Sequence, residues 1–151
     1  MIRTLFVALA CVVPLLAESK DEFALRKTFE SLQGNWAVKS MTVAGTSVDP
    51  ASVQSMRYTF ESSRMIETHH PEEAVRLNID VSGRIPQMEF LDRYGDTRTG
   101  VIQRSGETIL MCWVKTEYRV PPLLPPLAPP TSFKSTKDNK AVLMELTPVK
   151  Q

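Results

Sequence analysis

The alternation of apolar and polar side chains is the feature that most constrains this fold. Residues 56–61 read Met-Arg-Tyr-Thr-Phe-Glu, residues 75–80 read Val-Arg-Leu-Asn-Ile-Asp, and residues 142–146 read Val-Leu-Met-Glu-Leu. Because side chains point to opposite faces of a strand in turn, this pattern gives each strand one buried and one wet face. Such strands are typical of antiparallel sheets.

Turn-forming residues separate the alternating segments, as at Ser82-Gly83 and Ser105-Gly106. Successive short strands joined by tight turns form a meander, and about eight of them can close into a barrel without free edges. We therefore predict an all-β fold, an eight-stranded antiparallel up-and-down barrel with a short N-terminal helix. The predicted strands cover residues 35–43, 56–61, 64–69, 75–81, 86–91, 99–104, 108–114 and 140–147.

A short amphipathic segment precedes the first strand. Residues 21–32 carry Phe23, Phe29 and Leu32 at helical spacing, and they predict a helix that covers one barrel end. Gly34 would release the chain into the first strand, and Trp36 would lie across the barrel floor. We assign both residues structural roles.

The first 17 residues predict a secretory signal peptide. Arg3 precedes an apolar run over 5–16, and Ala17 is a small residue suited to cleavage. We interpret Cys11 as part of this run and not as a lipidated residue, because the run continues beyond it. The prediction is a secreted or periplasmic protein with one mature domain, residues 18–151. No later segment is apolar enough to span a bilayer.

The charge balance limits the classes of binding partner, and the cysteine content limits the disulfides that can form. The chain has 18 basic and 17 acidic residues, a near balance that argues against nucleic acid as a partner, since nucleic acid requires a basic face. Without the signal peptide, Cys112 is the only cysteine, so no intramolecular disulfide can form. Its apolar neighbours in 109–114 predict a buried thiol that packs as a small hydrophobe. A reactive or intermolecular thiol is the alternative.

No motif predicts catalysis, a metal site or a cofactor. Residues 67–73 read Glu-Thr-His-His-Pro-Glu-Glu, but adjacent histidines on a strand point to opposite faces and chelate poorly. We predict a solvated, charged turn there. Asp92 and Asp96 are interpreted as ordinary turn residues. The serines lie outside any Gly-x-Ser-x-Gly motif, so a non-enzymatic protein is expected.

Prolines dominate residues 120–130, which favour polyproline II and disrupt strand pairing. One interpretation is a docking motif for an aromatic groove. The favoured one is a stiff connection whose leucines cover the outer face of strand 108–114.

Six segments carry a resemblance to known proteins: Leu-Gln-Gly-Asn-Trp at 32–36, residues 56–61, residues 86–90, residues 100–102, residues 106–112 and Pro-Thr-Ser-Phe at 130–133. In order and spacing they resemble a family of secreted domains in planctomycete-type bacteria that begins with Leu-Gln-Gly-x-Trp. A Gly-x-Trp after a helix is also similar to the start of lipocalin barrels, so the resemblance makes the predicted barrel lipocalin-like. The resemblance implies this fold and export, and no activity. Pro129 departs from the family, which has an arginine there.

Two functions follow from a barrel of this kind. The first is binding of a small apolar or amphipathic molecule inside it. Strand parity selects six inward-facing candidates for that site: Tyr58, Phe60, Met88, Phe90, Met111 and Trp113. The second is a barrel filled by its own side chains that acts as an interaction module for another protein of the cell envelope. A wide cavity favours the first function, and a closed core with an exposed apolar patch favours the second.

Overall fold

The computed structural model describes residues 18–118 and 125–150. Residues 1–17, with the predicted signal peptide and Cys11, and residues 119–124 of the proline-rich segment lie outside the described residues. The described ranges contain two helices, α1 (Lys20–Leu32) and α2 (Pro50–Val53). They also contain ten strands: β1 (Gly34–Val43), β2 (Thr46–Ser47), β3 (Arg57–Glu61), β4 (Arg64–Glu67), β5 (His70–Arg76), β6 (Asn78–Asp80), β7 (Gln87–Leu91), β8 (Thr97–Ser105), β9 (Thr108–Glu117) and β10 (Val142–Pro148).

The strands form one antiparallel sheet with the order β5-β4-β3-β1-β10-β9-β8-β7-β6, and β2 pairs with β1. The first long strand, β1, pairs with the last one, β10, from Trp36 to Val43. The sheet is therefore a nearly closed, up-and-down barrel with few helices. This confirms the predicted fold class, whereas the predicted number of eight strands is wrong.

Leu77 accounts for much of the difference in strand number. It separates β5 from β6, yet these two strands lie at opposite ends of the sheet order, because β5 pairs with β4 and β6 pairs with β7. The Leu77 N–H donates to the Ser63 carbonyl at 2.8 Å, and its side chain is only 1% exposed. The single strand predicted over 75–81 is thus two strands with different partners.

The charged turn predicted over 67–73 is also wrong in part. Only Thr68 and His69 form a turn, and β5 begins at His70. Pro71 lies inside β5, where the missing N–H is tolerated because β5 is an edge strand. The remaining unpredicted elements, β2 and α2, are only two and four residues long.

The predicted N-terminal helix is confirmed as α1. Ser19 caps it in a capping box, in which the Ser19 Oγ accepts from the Glu22 N–H at 3.1 Å and the Glu22 carboxylate accepts from the Ser19 N–H at 2.8 Å. α1 has 13 residues. Within the described part of the chain, no helix is long and apolar enough to cross a membrane.

The end of α1 seals one end of the barrel. Gly34 has a φ of +116°, and the chain turns there into β1. The Trp36 indole N–H donates to the Leu32 carbonyl at 2.8 Å, and both side chains are buried. The Arg104 guanidinium lies 5.4 Å from the Trp36 ring and donates to the Ser31 carbonyl at 2.8 Å. Trp36, whose indole N–H has a hydrogen-bond partner, and Arg104, whose guanidinium lies over the Trp36 ring, therefore form the closed end of the barrel.

A second apolar cluster lies on the outside of the barrel. Val101, Cys112 and Val114 are buried there, and Leu127 and Phe133 pack against them. Leu127 of the proline-rich segment and Phe133 beyond it therefore cover the outer face of β9, as expected for Leu127. The Cys112 thiol lies in this cluster and donates to the Lys134 carbonyl at 3.6 Å. Burial raises the pKa of the Cys112 thiol, which fits a packing role.

We predict that Gly100→Ala destabilises the barrel. Gly100 faces Trp113 across β8 and β9, and an added Cβ would lie 2.7 Å from the Trp113 Cα and closer still to the Cys112 carbonyl oxygen. Backbone atoms cannot move aside, so the free energy of unfolding in urea should fall by about 1–3 kcal/mol or more.

Gly83→Ala is the matched control for that variant. A Cβ at Gly83 would meet its nearest atom, the Ile85 carbonyl oxygen, at an ordinary 3.5 Å. Its free energy of unfolding should stay within about 0.5 kcal/mol of the parent protein. Equal losses in the two variants would contradict the close approach of β8 and β9 at Gly100.

Candidate functional site

The end of the barrel opposite Trp36 is open. There the C-terminal half of β1 meets the start of β10, as the pairing of Val43 with Val142 shows. A cavity of about 560 Å³ lies between these strands and residues of β3, β4, β5, β7, β8 and β9. We call it the mouth cavity. Its apolar wall includes Met41, Tyr58, Met65, Phe90, Trp113 and Met144, and its polar residues are Glu67, His70, Glu73, Asp92, Arg93 and Arg98.

The six inward-facing candidates divide between the mouth cavity and the packed core. Tyr58, Phe90 and Trp113 line the cavity, and the rings of Phe90 and Trp113 meet edge to face with centroids 6.2 Å apart. The other three candidates, Phe60, Met88 and Met111, are buried deeper in the barrel.

Strand parity placed all six candidates in the inner cluster because the local register is regular. The irregular positions lie between Val38 and Ser40, between Met65 and Glu67, and between Thr97 and Arg98. None of them separates two of the candidates within a strand. Depth along the barrel axis is a different property, which parity does not report, since it depends on how strands are staggered.

A groove extends the mouth cavity along the barrel wall. β5 and β7 do not pair with each other in the sheet, and a hollow of about 660 Å³ lies between them. Glu73 and Arg93 bridge it with an ion pair of 3.1 Å. The groove and the mouth cavity share Val75 and Phe90 in addition to this pair, so the cavity opens both at the barrel end and along its side.

The turn between β7 and β8 supplies the second ion pair at the mouth. The Asp92 Oδ1 accepts from the N–H groups of Tyr94 and Asp96, both at 2.9 Å, as expected of a turn residue. Its Oδ2 accepts from the Arg98 guanidinium at 2.8 Å. Asp96 is only 5% exposed and pairs with Lys115 at 2.6 Å. The interpretation of Asp92 and Asp96 as ordinary turn residues is therefore incomplete, because each also holds a basic side chain.

Glu67 and Tyr58 face each other across β4 and β3. Burial of Tyr58 raises the pKa of its phenol to about 12, and the nearby charge of Glu67 contributes. The Glu67 carboxylate makes no hydrogen bond or ion pair with residues 18–118 or 125–150. Glu67 was not among the predicted site residues, because the charged run over 67–73 indicates a turn.

The two histidines lie apart. The His69 Nε2 is 3.2 Å from the Ser55 carbonyl oxygen, whereas His70 lines the mouth cavity. Atoms of His70, Glu72 and Glu73 lie within 4.8 Å of one another, close enough to hold a metal ion. Exposed carboxylates are often grouped in this way without a metal, and we assign none to them.

Comparisons with models of protein families, with curated proteins and with solved structures gave no significant match to this chain. The resemblance to the Leu-Gln-Gly-x-Trp family stays a prediction.

We predict that Tyr58 ionises at a higher pH than an ordinary tyrosine. Its pKa is raised from 10.0 to about 12, so the protein should lose stability as the pH rises from about 10 to 12, where the unfolded chain ionises first. In a pH titration of tyrosinate absorbance, one of the three tyrosines should ionise at a higher pH than the other two. Near-ultraviolet circular dichroism should show that the protein is still folded at that pH. Tyr58→Phe should remove the absorbance step at high pH, and Tyr94→Phe should keep it. The reverse result would refute the burial of Tyr58.

Proposed function

We propose that this is an exported, non-enzymatic binding protein that takes one small amphipathic molecule into the mouth cavity. The observation that carries the proposal is the asymmetry of the barrel. One end is sealed by α1 and Trp36, whereas the other holds a cavity with an apolar wall and a charged rim. Export rests on the sequence of residues 1–17 alone.

The size and lining of the cavity support a small ligand. Pockets for small molecules usually measure about 300–1,000 Å³, and 560 Å³ lies within that range. Burying apolar ligand surface against Phe90, Trp113 and Met144 would contribute about 25 cal/mol per Å². Methionines at positions 41, 65 and 144 can change rotamers at low energy, so the wall can adapt to several shapes.

The arrangement of polar groups suggests the orientation of the ligand. Asp92 and Arg93 come from the β7–β8 turn, and Arg98 comes from the start of β8. Glu73, from the middle of the edge strand β5, pairs with Arg93. An apolar part would therefore point toward Met144 and the core, and a polar part would stay among these side chains.

The alternative is a filled barrel that contacts an envelope protein. The lower half of the barrel is indeed filled, by residues such as Phe60, Met111 and Leu146. However, three of the exposed large apolar residues, Val43, Leu91 and Tyr94, border the mouth cavity or its groove and do not form a separate face. The cavity therefore favours the first function.

The proposal is tested by titration with N-phenyl-1-naphthylamine, a neutral amphipathic dye that fluoresces in apolar sites. We expect saturable one-to-one binding, which Phe90→Ala should weaken by about tenfold because a large aromatic contact is lost. Leu143→Ala is the matched control, since Leu143 packs in the outer cluster. Its affinity should stay within about twofold of the parent protein.

Native mass spectrometry of the protein from its own envelope fraction provides the second readout. A stoichiometric small molecule that is absent after Phe90→Ala would support the proposal. An unliganded protein together with equal dye binding by both variants would contradict it and favour the interaction module.

A further inference from the structure

The mouth cavity carries one acidic group that no cation neutralises. Of its charged residues, Arg93 pairs with Glu73 at 3.1 Å and Arg98 pairs with Asp92 at 2.8 Å. The Glu67 carboxylate is left over, because it makes no hydrogen bond or ion pair with any part of the chain that the structure describes. With His70 counted as neutral, the wall of the cavity has one carboxylate more than it has cations.

The strand pairing places Glu67, the last residue of β4, in the wall of the mouth cavity. Tyr58 lies opposite it on β3 and His70 lies opposite it on β5, and all three side chains line the cavity. Glu67 is half-buried, so its carboxylate has lost part of its hydration. A charge in that position is stabilised when an opposite charge joins it.

The aromatic side chains of the cavity favour the same sign of ligand charge. Trp113, Phe90 and Tyr58 line the cavity, and aromatic rings attract ammonium groups through the negative charge of their π-faces. The phenol of Tyr58 is neutral at ordinary pH, as in any tyrosine, and burial raises its pKa further, to about 12. It therefore supplies a hydroxyl and a ring but no second negative charge.

An anionic head group has no equivalent partner in the cavity. Both guanidiniums already donate to carboxylates, and the Asp92–Arg98 pair is additionally held by the β7–β8 turn. An anion could reach the remaining N–H groups of either guanidinium only beside the carboxylate already paired there, and Glu67 would repel it as well.

We propose that the molecule bound in the mouth cavity is a cationic amphiphile, whose protonated or quaternary amine lies between the carboxylate of Glu67 and the rings of Tyr58, Phe90 and Trp113. This inference rests on the proposed function and adds the chemical class of the ligand. The apolar part of the molecule lies against Met144 and the side chains below it. The partly buried site strengthens the ion pair relative to one in water.

The test compares three probes with the same ten-carbon tail by isothermal titration calorimetry: decyltrimethylammonium, decanol and decyl sulfate, all below their micellar concentrations. The parent protein should bind the cation at least about tenfold more tightly than the anion, with the alcohol between them. Added salt should reduce the preference for the cation.

Glu67→Gln isolates the carboxylate. It should lower the affinity for decyltrimethylammonium by about tenfold and leave that for decanol within about twofold. Glu61→Gln has the same net charge but changes an exposed carboxylate on β3 outside the cavity, so it should bind like the parent protein. Glu67→Asp keeps the charge and should retain the preference for the cation.

Folding of the Glu67 variants is checked by the Tyr58 titration. Removing the charge of Glu67 should lower the pKa of Tyr58 in a folded barrel, since that charge contributes to raising it. Equal affinities for the cation and the anion, or equal losses in Glu67→Gln and Glu61→Gln, would overturn the inference while leaving the binding function standing. The absence of binding by all three probes would overturn both.

Discussion

The passage of the chain through Leu77 is the constraint on which the rest of the architecture depends. The residues before Leu77 pair with one edge of the sheet and those after it pair with the other edge, so a short covalent link joins the two edges. At the link, Leu77 is buried and its N–H donates to the Ser63 carbonyl. Farther along, a lateral groove lies between β5 and β7, in addition to the open end of the barrel, and the Glu73–Arg93 ion pair bridges it.

This closure divides the barrel into two halves with different physical requirements. In the sealed half, Trp36 and Leu32 are buried and the indole N–H is satisfied, as a stable core requires. In the open half, charged side chains lie beside aromatic ones. Exposed ion pairs such as Glu73–Arg93 contribute little to folding, typically below about 1 kcal/mol each. Their main effect is to hold side chains in place around a cavity. The Glu67 carboxylate has no cationic partner among the described residues, so it is the group that can still pair with a charged ligand.

Local pattern was enough to predict which side chains point inward. Phe60, Phe90, Met111 and Trp113 all lie in the inner cluster, because strand parity survives as long as no bulge intervenes. The same reasoning could not separate Phe60, in the filled half, from Phe90, at the cavity. It also could not place Glu67, since the partners that determine its surroundings lie on two other strands.

By itself the sequence determined the class of fold, the capping helix and the two faces of each strand, because these depend on neighbours a few residues apart. Only the tertiary structure decided how many strands there are, where the barrel stays open and which charges remain unpaired. Those properties depend on pairings between distant segments, such as β1 with β10 and β6 with β7. Alternation of apolar residues specifies that a strand has an inner face, but the identity and stagger of its neighbours determine what that face contacts.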